Sequence, residues 1–351
     1  MYRKLKLSLL RAAKTTGALA VLLDSEWRRR KLLIVCYHGI SLDDEHRWDP
    51  SLFLSPDVFE SRMELLHALG AQVLPLGEAL ERLRAGSLPP RAVALTFDDG
   101  FFDFRERAWP ILRRYGFPAT VYLTTYYSAF NRPVFGITAS YLLWKSGQGH
   151  VSLETVTGES LSLPCGDAES RNKVRAHLED FVRKNNGGGQ ESDELLSRLA
   201  AAAGVSGAEA ELRRRRILHL LTPAESAALA AEGVDMQLHT HRHRTPLDRS
   251  LFVRELEDNR HALQASGASA NPSHFCYPSG VHEAEFFPWL RECGIASATT
   301  CDTGLASAGE NPLLLPRLVD FSALRPLEFE AWVTGAPAFF PRKTRHGLRI
   351  G

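Results

Sequence analysis

The sequence carries almost no net charge, no paired cysteines and no apolar run long enough to cross a bilayer. Its 42 Lys and Arg face 41 Asp and Glu across 351 residues. No overall field therefore draws in a polyanion, and nucleic acid is not an expected partner. The five cysteines (Cys36, Cys165, Cys276, Cys293, Cys301) are odd in number and lack C-x-x-C spacing. They read as buried thiols in a reducing compartment, not as a disulfide framework or a zinc knuckle. Only the start of the chain departs from neutrality: residues 1–31 hold nine Lys or Arg against Asp24 and Glu26. The apolar stretch at 18–23 is too short to span a membrane, is preceded by Arg11 and Lys14, and is followed by no small-residue cleavage site. Residues 1–30 are expected to form a basic helix covering the bottom of the fold. Peripheral contact of residues 1–31 with the inner face of a membrane is the alternative, and the location expected is cytoplasmic.

What is present is an ordinary globular composition, 44% hydrophobic and 24% charged, in a chain long enough for one large barrel with an insertion or for two modest domains. Short apolar runs at 32–37, 72–76, 91–97, 119–124, 234–238, 274–277 and 296–300 alternate with helical periodicity at 59–69, 76–85, 105–115, 249–266 and 284–293. That alternation makes the fold α/β with a parallel sheet or barrel. Residues 126–221 break the pattern with Gly147-Gln148-Gly149, Gly187-Gly188-Gly189 and three helical stretches. They read as a helical insertion or lid, in which the Arg213–Arg216 run is a solvated helix face. The insertion ends at Thr222-Pro223-Ala224-Glu225, a capping box with Pro at the first helical position. The barrel then comprises residues 31–125 and 222–340.

The polar signals fall at the carboxyl ends of strands: His38, Asp98-Asp99, His239 to His243, and Tyr277-Pro278. Those ends form the active face of a β/α barrel. In Thr96-Phe97-Asp98-Asp99-Gly100, two adjacent carboxylates leave a buried strand, where keeping both ionised beside an apolar wall is costly. A divalent cation resolves this by taking one carboxylate as a ligand while the other faces substrate. In Leu238-His239-Thr240-His241-Arg242-His243, His239 and His243 stand four apart, so both imidazoles face one way on a helical turn. His241 is ambiguous and is left out of the metal shell.

Thr96–Gly100 and His239-Thr240-x-x-His243 resemble the first two motifs of the polysaccharide deacetylase family, carbohydrate esterase family four. His274 to Gly280 resembles its third motif, and Val35-Cys36-Tyr37-His38-Gly39-Ile40 resembles the N-terminal Tyr-His motif of the branch that holds biofilm poly-N-acetylglucosamine deacetylases. The resemblance implies a distorted (β/α) barrel of about seven strands with a helical insertion, and a divalent metal ion, usually zinc. It implies that Asp99, His239 and His243 bind the metal, that Asp98 is the base, and that Tyr277, Pro278 and Gly280 border the substrate.

Two departures stand out: Phe275 and Cys276 occupy the place of the usual Arg, and the usual C-terminal His is missing. Both match the biofilm branch, which implies His38 as the acid; Arg317 is the candidate brace for Asp98. The implied substrate is an N-acetylated glycan or a lipid-linked saccharide. A deformylase or small-amide hydrolase on the same fold and a degenerate glycan-binding barrel are the alternatives. A closed lid suits a bounded substrate, and an open groove with exposed aromatics suits a polymer.

Overall fold

The computed structural model describes residues 2–185 and 189–340; Gly187 and Gly188 of the expected glycine break lie outside them. Eight parallel strands make one curled sheet: β1 (Leu33–Tyr37), β2 (Gln72–Val73), β3 (Ala92–Phe97), β4 (Thr120–Leu123), β5 (Asp235–Leu238), β6 (His274–Cys276), β7 (Ser297–Thr299) and β8 (Leu318–Val319). The order is β7-β6-β5-β4-β3-β1-β8, with β2 added beside the start of β3. Segment 312–318 runs between the two edges: Leu315 bridges Thr299 of β7, and Leu318 pairs with Val35 of β1. The result is a distorted (β/α) barrel.

Every residue of β1 and β3 is buried, as continuous apolar runs are when helices cover one face of a parallel sheet and the barrel interior fills the other. Pairing register sets the height of the site. Tyr37 pairs with Phe97, so His38 and Asp98 leave the sheet side by side. Leu238 pairs with both Leu123 and Phe275, which brings His239 level with Cys276. The helix after the insertion starts as expected: the Thr222 side chain accepts from Glu225 N–H, the Glu225 side chain returns to Thr222 N–H, and Pro223 takes the first turn.

Residues 126–221 build their own core. Helices Phe135–Ser146, Ala168–Lys184 and Gly189–Ala202 pack together around Leu142, Val156, Leu178, Leu195 and Leu199, and Trp48, Phe53 and Phe101 join them from the barrel. The Arg213–Arg216 run is more committed than a solvated face. Arg213 pairs with Asp193, Arg214 with Glu211 and Arg215 with Asp43, while Arg216 joins Glu225 and lies 3.8 Å from the Phe102 ring centroid. At the other end of the barrel, helices Tyr2–Thr15 and Ala18–Leu23 pack on Pro326–Thr334 through Leu10, Leu19 and Ala331. Buried Arg28 donates to the carbonyls of Lys31, Ala92 and Val333. No described helix is long and apolar enough to cross a membrane. All five cysteines are free; Cys301 is exposed, contrary to the expectation of uniform burial.

Candidate metal centre and active site

The Asp98-Asp99-Gly100 turn separates two adjacent carboxylates by backbone geometry. Asp98 N–H donates to the Tyr37 carbonyl (2.9 Å) and continues the sheet. Asp99 then takes a left-handed conformation (φ 69) and Gly100 follows (φ 79). A Cβ at Gly100 would lie 2.2 Å from Leu123 Cδ1, so only glycine fits where the turn meets β4. The two side chains diverge, each to a different set of partners.

Asp98 faces Arg317. Nη1 meets Oδ1 and Nη2 meets Oδ2, both at 2.7 Å. The guanidinium is fully buried and is held by Thr300 O (2.9 Å) and Thr96 Oγ1 (3.2 Å). Burial alone would push the Asp98 carboxyl up, but Arg317 outweighs it and holds the group below the usual carboxylate range. Two thiols also reach Asp98 Oδ2, Cys276 at 3.2 Å and Cys36 at 3.4 Å. Burial raises the pKa of both well above the ordinary thiol value, so both face Asp98 as neutral donors. His38 Nε2 lies 3.8 Å from the same oxygen, and its buried Nδ1 has no hydrogen-bond partner.

Asp99 faces the histidines. His239 Nε2 and His243 Nε2 each stand 3.2 Å from Asp99 Oδ1. His239 Nδ1 donates to the Cys276 carbonyl at 2.9 Å, which leaves the Nε2 lone pair aimed at the carboxylate. Buried Asp99 Oδ1 has no hydrogen-bond partner. Burial opposes ionisation of Asp99, yet His243 and His239 hold it well below the carboxylate range; His239 is in turn raised, against its burial, by Asp99. An orphaned buried oxygen facing two imidazole nitrogens is the pattern a cation satisfies. Ligand atoms of a tetrahedral zinc stand roughly 3.3 Å from one another, close to the separations found here. Two other groupings, Cys36-His38-Asp98 and Asp98-His239-Cys276, also bring potential ligand atoms within 4.8 Å of one another. In both, Asp98 is already clamped by Arg317, whereas Asp99 Oδ1 has no hydrogen-bond partner, so Asp99-His239-His243 is the set that fits a divalent ion.

The histidines meet for a different reason than spacing on a helical turn. Residues 239–248 form a loop without helix, and left-handed Thr240 (φ 59) and His243 (φ 53) fold it back on itself. Such backbone costs of order 1–3 kcal/mol per residue and concentrates at functional sites. His241 points away, its Nδ1 2.8 Å from Thr125 Oγ1.

The third segment also differs from expectation. Tyr277 is buried, its hydroxyl donating to the Leu313 carbonyl at 3.0 Å and its ring stacked on Phe286; its side chain packs into the barrel and does not face the mouth. Pro278 is buried as well, and Gly280 (φ 67) turns where a Cβ would meet Cys301. Asp103 escaped the sequence reading. Its buried carboxyl accepts from Ile40 N–H at 3.0 Å and so ties the His38-Gly39-Ile40 turn to the segment that follows the paired aspartates.

Comparison with known proteins gives a consistent picture. The family model described as polysaccharide deacetylase matches residues 85–139 and 195–298. A Bacillus subtilis protein named as a polysaccharide deacetylase, YxkH, is 37% identical over 94 residues, covering 26% of this chain and 32% of that protein. The poly-beta-1,6-N-acetyl-D-glucosamine N-deacetylase of Staphylococcus aureus is 38% identical over 72 residues, 20% of this chain and 25% of its own length. The chain thus spans about a quarter to a third of the length of these curated relatives. Among solved structures, Streptococcus pyogenes deacetylase PplD in complex with acetate superposes with a TM-score of 0.54 at 19% identity, covering 85% of this chain and 96% of that one. IcaB from Ammonifex degensii gives 0.54 at 15% identity, covering 87% and 97%. The structural likeness establishes the shared fold.

Proposed function

The chain belongs to the polysaccharide deacetylase family, in the part that resembles the biofilm deacetylases, and on that footing we propose that it hydrolyses the N-acetyl group of an amino-sugar glycan with the help of a divalent metal ion. The observation that carries this reading is the division of labour between adjacent carboxylates: Asp98 is locked to Arg317, and Asp99 is left facing His239 and His243.

Asp99, His239 and His243 would hold the ion, zinc in our reading, which supplies Lewis acidity toward the acyl carbonyl and lowers the pKa of a water toward ~7. Asp98 accepts the proton of the attacking water. Its partnership with Arg317 keeps it ionised and makes it a weak base, which suits it to a water already acidified and to little else. Arg317 fixes the carboxylate plane, so the accepting oxygen does not wander. His38, beside Asp98 at the mouth, gives a proton to the departing amine; a positioned acid of this kind typically contributes ~10²–10⁴ in rate. Atoms balance as acetate and a free amino sugar.

The test is acetate release from N-acetylglucosamine oligomers by the purified chain, before and after chelator, with the ion restored. Release that stops with chelator and returns with zinc supports the proposal. Release unaffected by full metal removal would overturn it.

A further inference from the structure

The first two helices have one apolar face in the protein and another outside it. Leu7, Leu10, Leu19 and Leu23 are buried, and Lys14 Nζ reaches Glu330 of helix Pro326–Thr334 at 2.5 Å. On the opposite face of helix Tyr2–Thr15, Leu5, Leu9 and Ala12 are spaced to form a single stripe. Leu5 is 60% and Leu9 49% exposed, and Ala12 is exposed with them. In helix Ala18–Leu23, Val21 is 76% exposed, between the exposed Ala18 and the buried Leu23. A helix that has already docked its core face ordinarily turns polar residues outward. Here leucine and valine stay outside.

Charge narrows the occupant. Residues 1–23 contain Arg3, Lys4, Lys6, Arg11 and Lys14 and no acid, whereas beyond residue 31 the chain holds 39 Asp and Glu against 33 Lys and Arg. Lys6 and Arg11 lie on opposite flanks of the leucine stripe, each about 100–120° of helix rotation away. Long basic side chains so placed lay their methylenes along an apolar surface and lift their charges to its rim. The two acids that follow are already engaged, Asp24 with Arg91 at 2.6 Å and Glu26 with Arg29 at 3.4 Å. The boundary of an anionic bilayer meets both features: acyl chains take the leucines, and lipid phosphates take the cations. A nucleic acid would use the cations and leave the leucines in water; an apolar protein groove would use the leucines alone.

Position in the barrel then sets an orientation. Arg28, in the turn that follows these helices, donates to the carbonyl of Ala92, the first residue of β3. Asp98 follows the last residue of the same strand. The basic helices therefore cap the end of the barrel opposite the mouth.

We propose that the face carrying Leu5, Lys6, Leu9, Arg11 and Val21 docks this end of the protein on an anionic membrane, with the mouth turned away from the bilayer. The face shares no residue with the metal and base candidates, so its test stands apart from the deacetylase reading. The full chain is sedimented with vesicles of phosphatidylcholine alone and of equimolar phosphatidylcholine and phosphatidylglycerol. Partition onto the anionic vesicles is expected to be at least ~10-fold stronger and to weaken as salt rises. The double variants Leu5→Ser with Leu9→Ser, and Lys6→Gln with Arg11→Gln, are each expected to lower it by ~10-fold or more, with circular dichroism unchanged. Leu247 and Leu251 are the exposed leucines at the mouth end, and replacing both with Ser is expected to leave partition as it was. No binding to the anionic vesicles, equal binding to the two compositions, or binding that survives both of the first double variants would overturn the proposal. Binding lost only in the Leu247 and Leu251 variant would overturn it too, by placing the membrane at the mouth.

Discussion

Arg317 grips Asp98 through two parallel bonds of 2.7 Å although the two residues lie 219 positions apart. The pair is buried, and the strand order explains why it can form: β3, which leads into Asp98, and β8, which follows Arg317, both pair with β1. The family's usual Arg would come from the segment where Cys276 stands; here Cys276 Sγ lies 3.1 Å from Arg317 Nη2 instead. The guanidinium reaches Asp98 from the residue just before β8.

Arg317→Lys keeps the charge and loses the fork. It is expected to leave metal content unchanged and to lower kcat by ~10²-fold, the effect of a misplaced base. Steady-state kinetics alongside metal analysis checks this. Arg317→Met should go further and lower Tm, because Asp98 is left buried without its counter-charge.

His38→Ala is expected to keep the fold and the metal while kcat/KM falls by ~10²–10⁴. A near-normal rate would return His38 to a packing role.

Asp103 should matter to the same step by holding the turn that carries His38. Burial raises its carboxyl well above the carboxylate range, with the charges of Glu45 and Asp99 adding to the effect, so Asn is a close mimic of its neutral form. Asp103→Asn is therefore expected to behave nearly as wild type. Asp103→Ala strands the Ile40 N–H, at a cost of ~1–3 kcal/mol, and should reduce kcat more than it raises KM. Equal damage from both variants, or none from either, would contradict this.

Much of the site was legible because a parallel barrel puts its polar residues in one kind of place. Buried apolar strands ending abruptly in His38, Asp98-Asp99 and His239 marked the mouth without any knowledge of contacts, and the alternation of strands and helices gave the barrel. The spacing of His239 and His243 pointed to the two rings that face Asp99, but not to how they get there, since a helical turn and a loop with left-handed Thr240 and His243 can both bring i and i+4 together. Tyr277 showed the limit of motif reading: position at a strand end does not say whether a ring faces the mouth or the core, and here Leu313 and Phe286 claim it. The thiols of Cys36 and Cys276 could not be placed against Asp98 by sequence, because that contact depends on register across three strands.

Stability should fall on mild acidification through His219, which lies where the insertion meets the barrel. Burial lowers its pKa to about 4, below the ordinary 6.5 of the unfolded chain. Between those values the unfolded state binds more protons than the native one, so stability rises with pH across the window and is lost as pH falls from 6.5 toward 4. The full shift corresponds to roughly 3 kcal/mol. Thermal melts of the wild type and of His219→Gln across that range should show a shallower pH slope in the variant; identical slopes would remove His219 from the account.

The central claim is that adjacent carboxylates have separate duties, one binding metal and the other accepting a proton. The most direct measurement is bound zinc per chain, with acetate release, for Asp98→Asn and Asp99→Ala purified side by side. The account predicts that Asp98→Asn retains stoichiometric zinc and loses turnover by several orders of magnitude, while Asp99→Ala loses zinc and turnover together. Full zinc occupancy in Asp99→Ala, or equal loss of zinc from both variants, would contradict it.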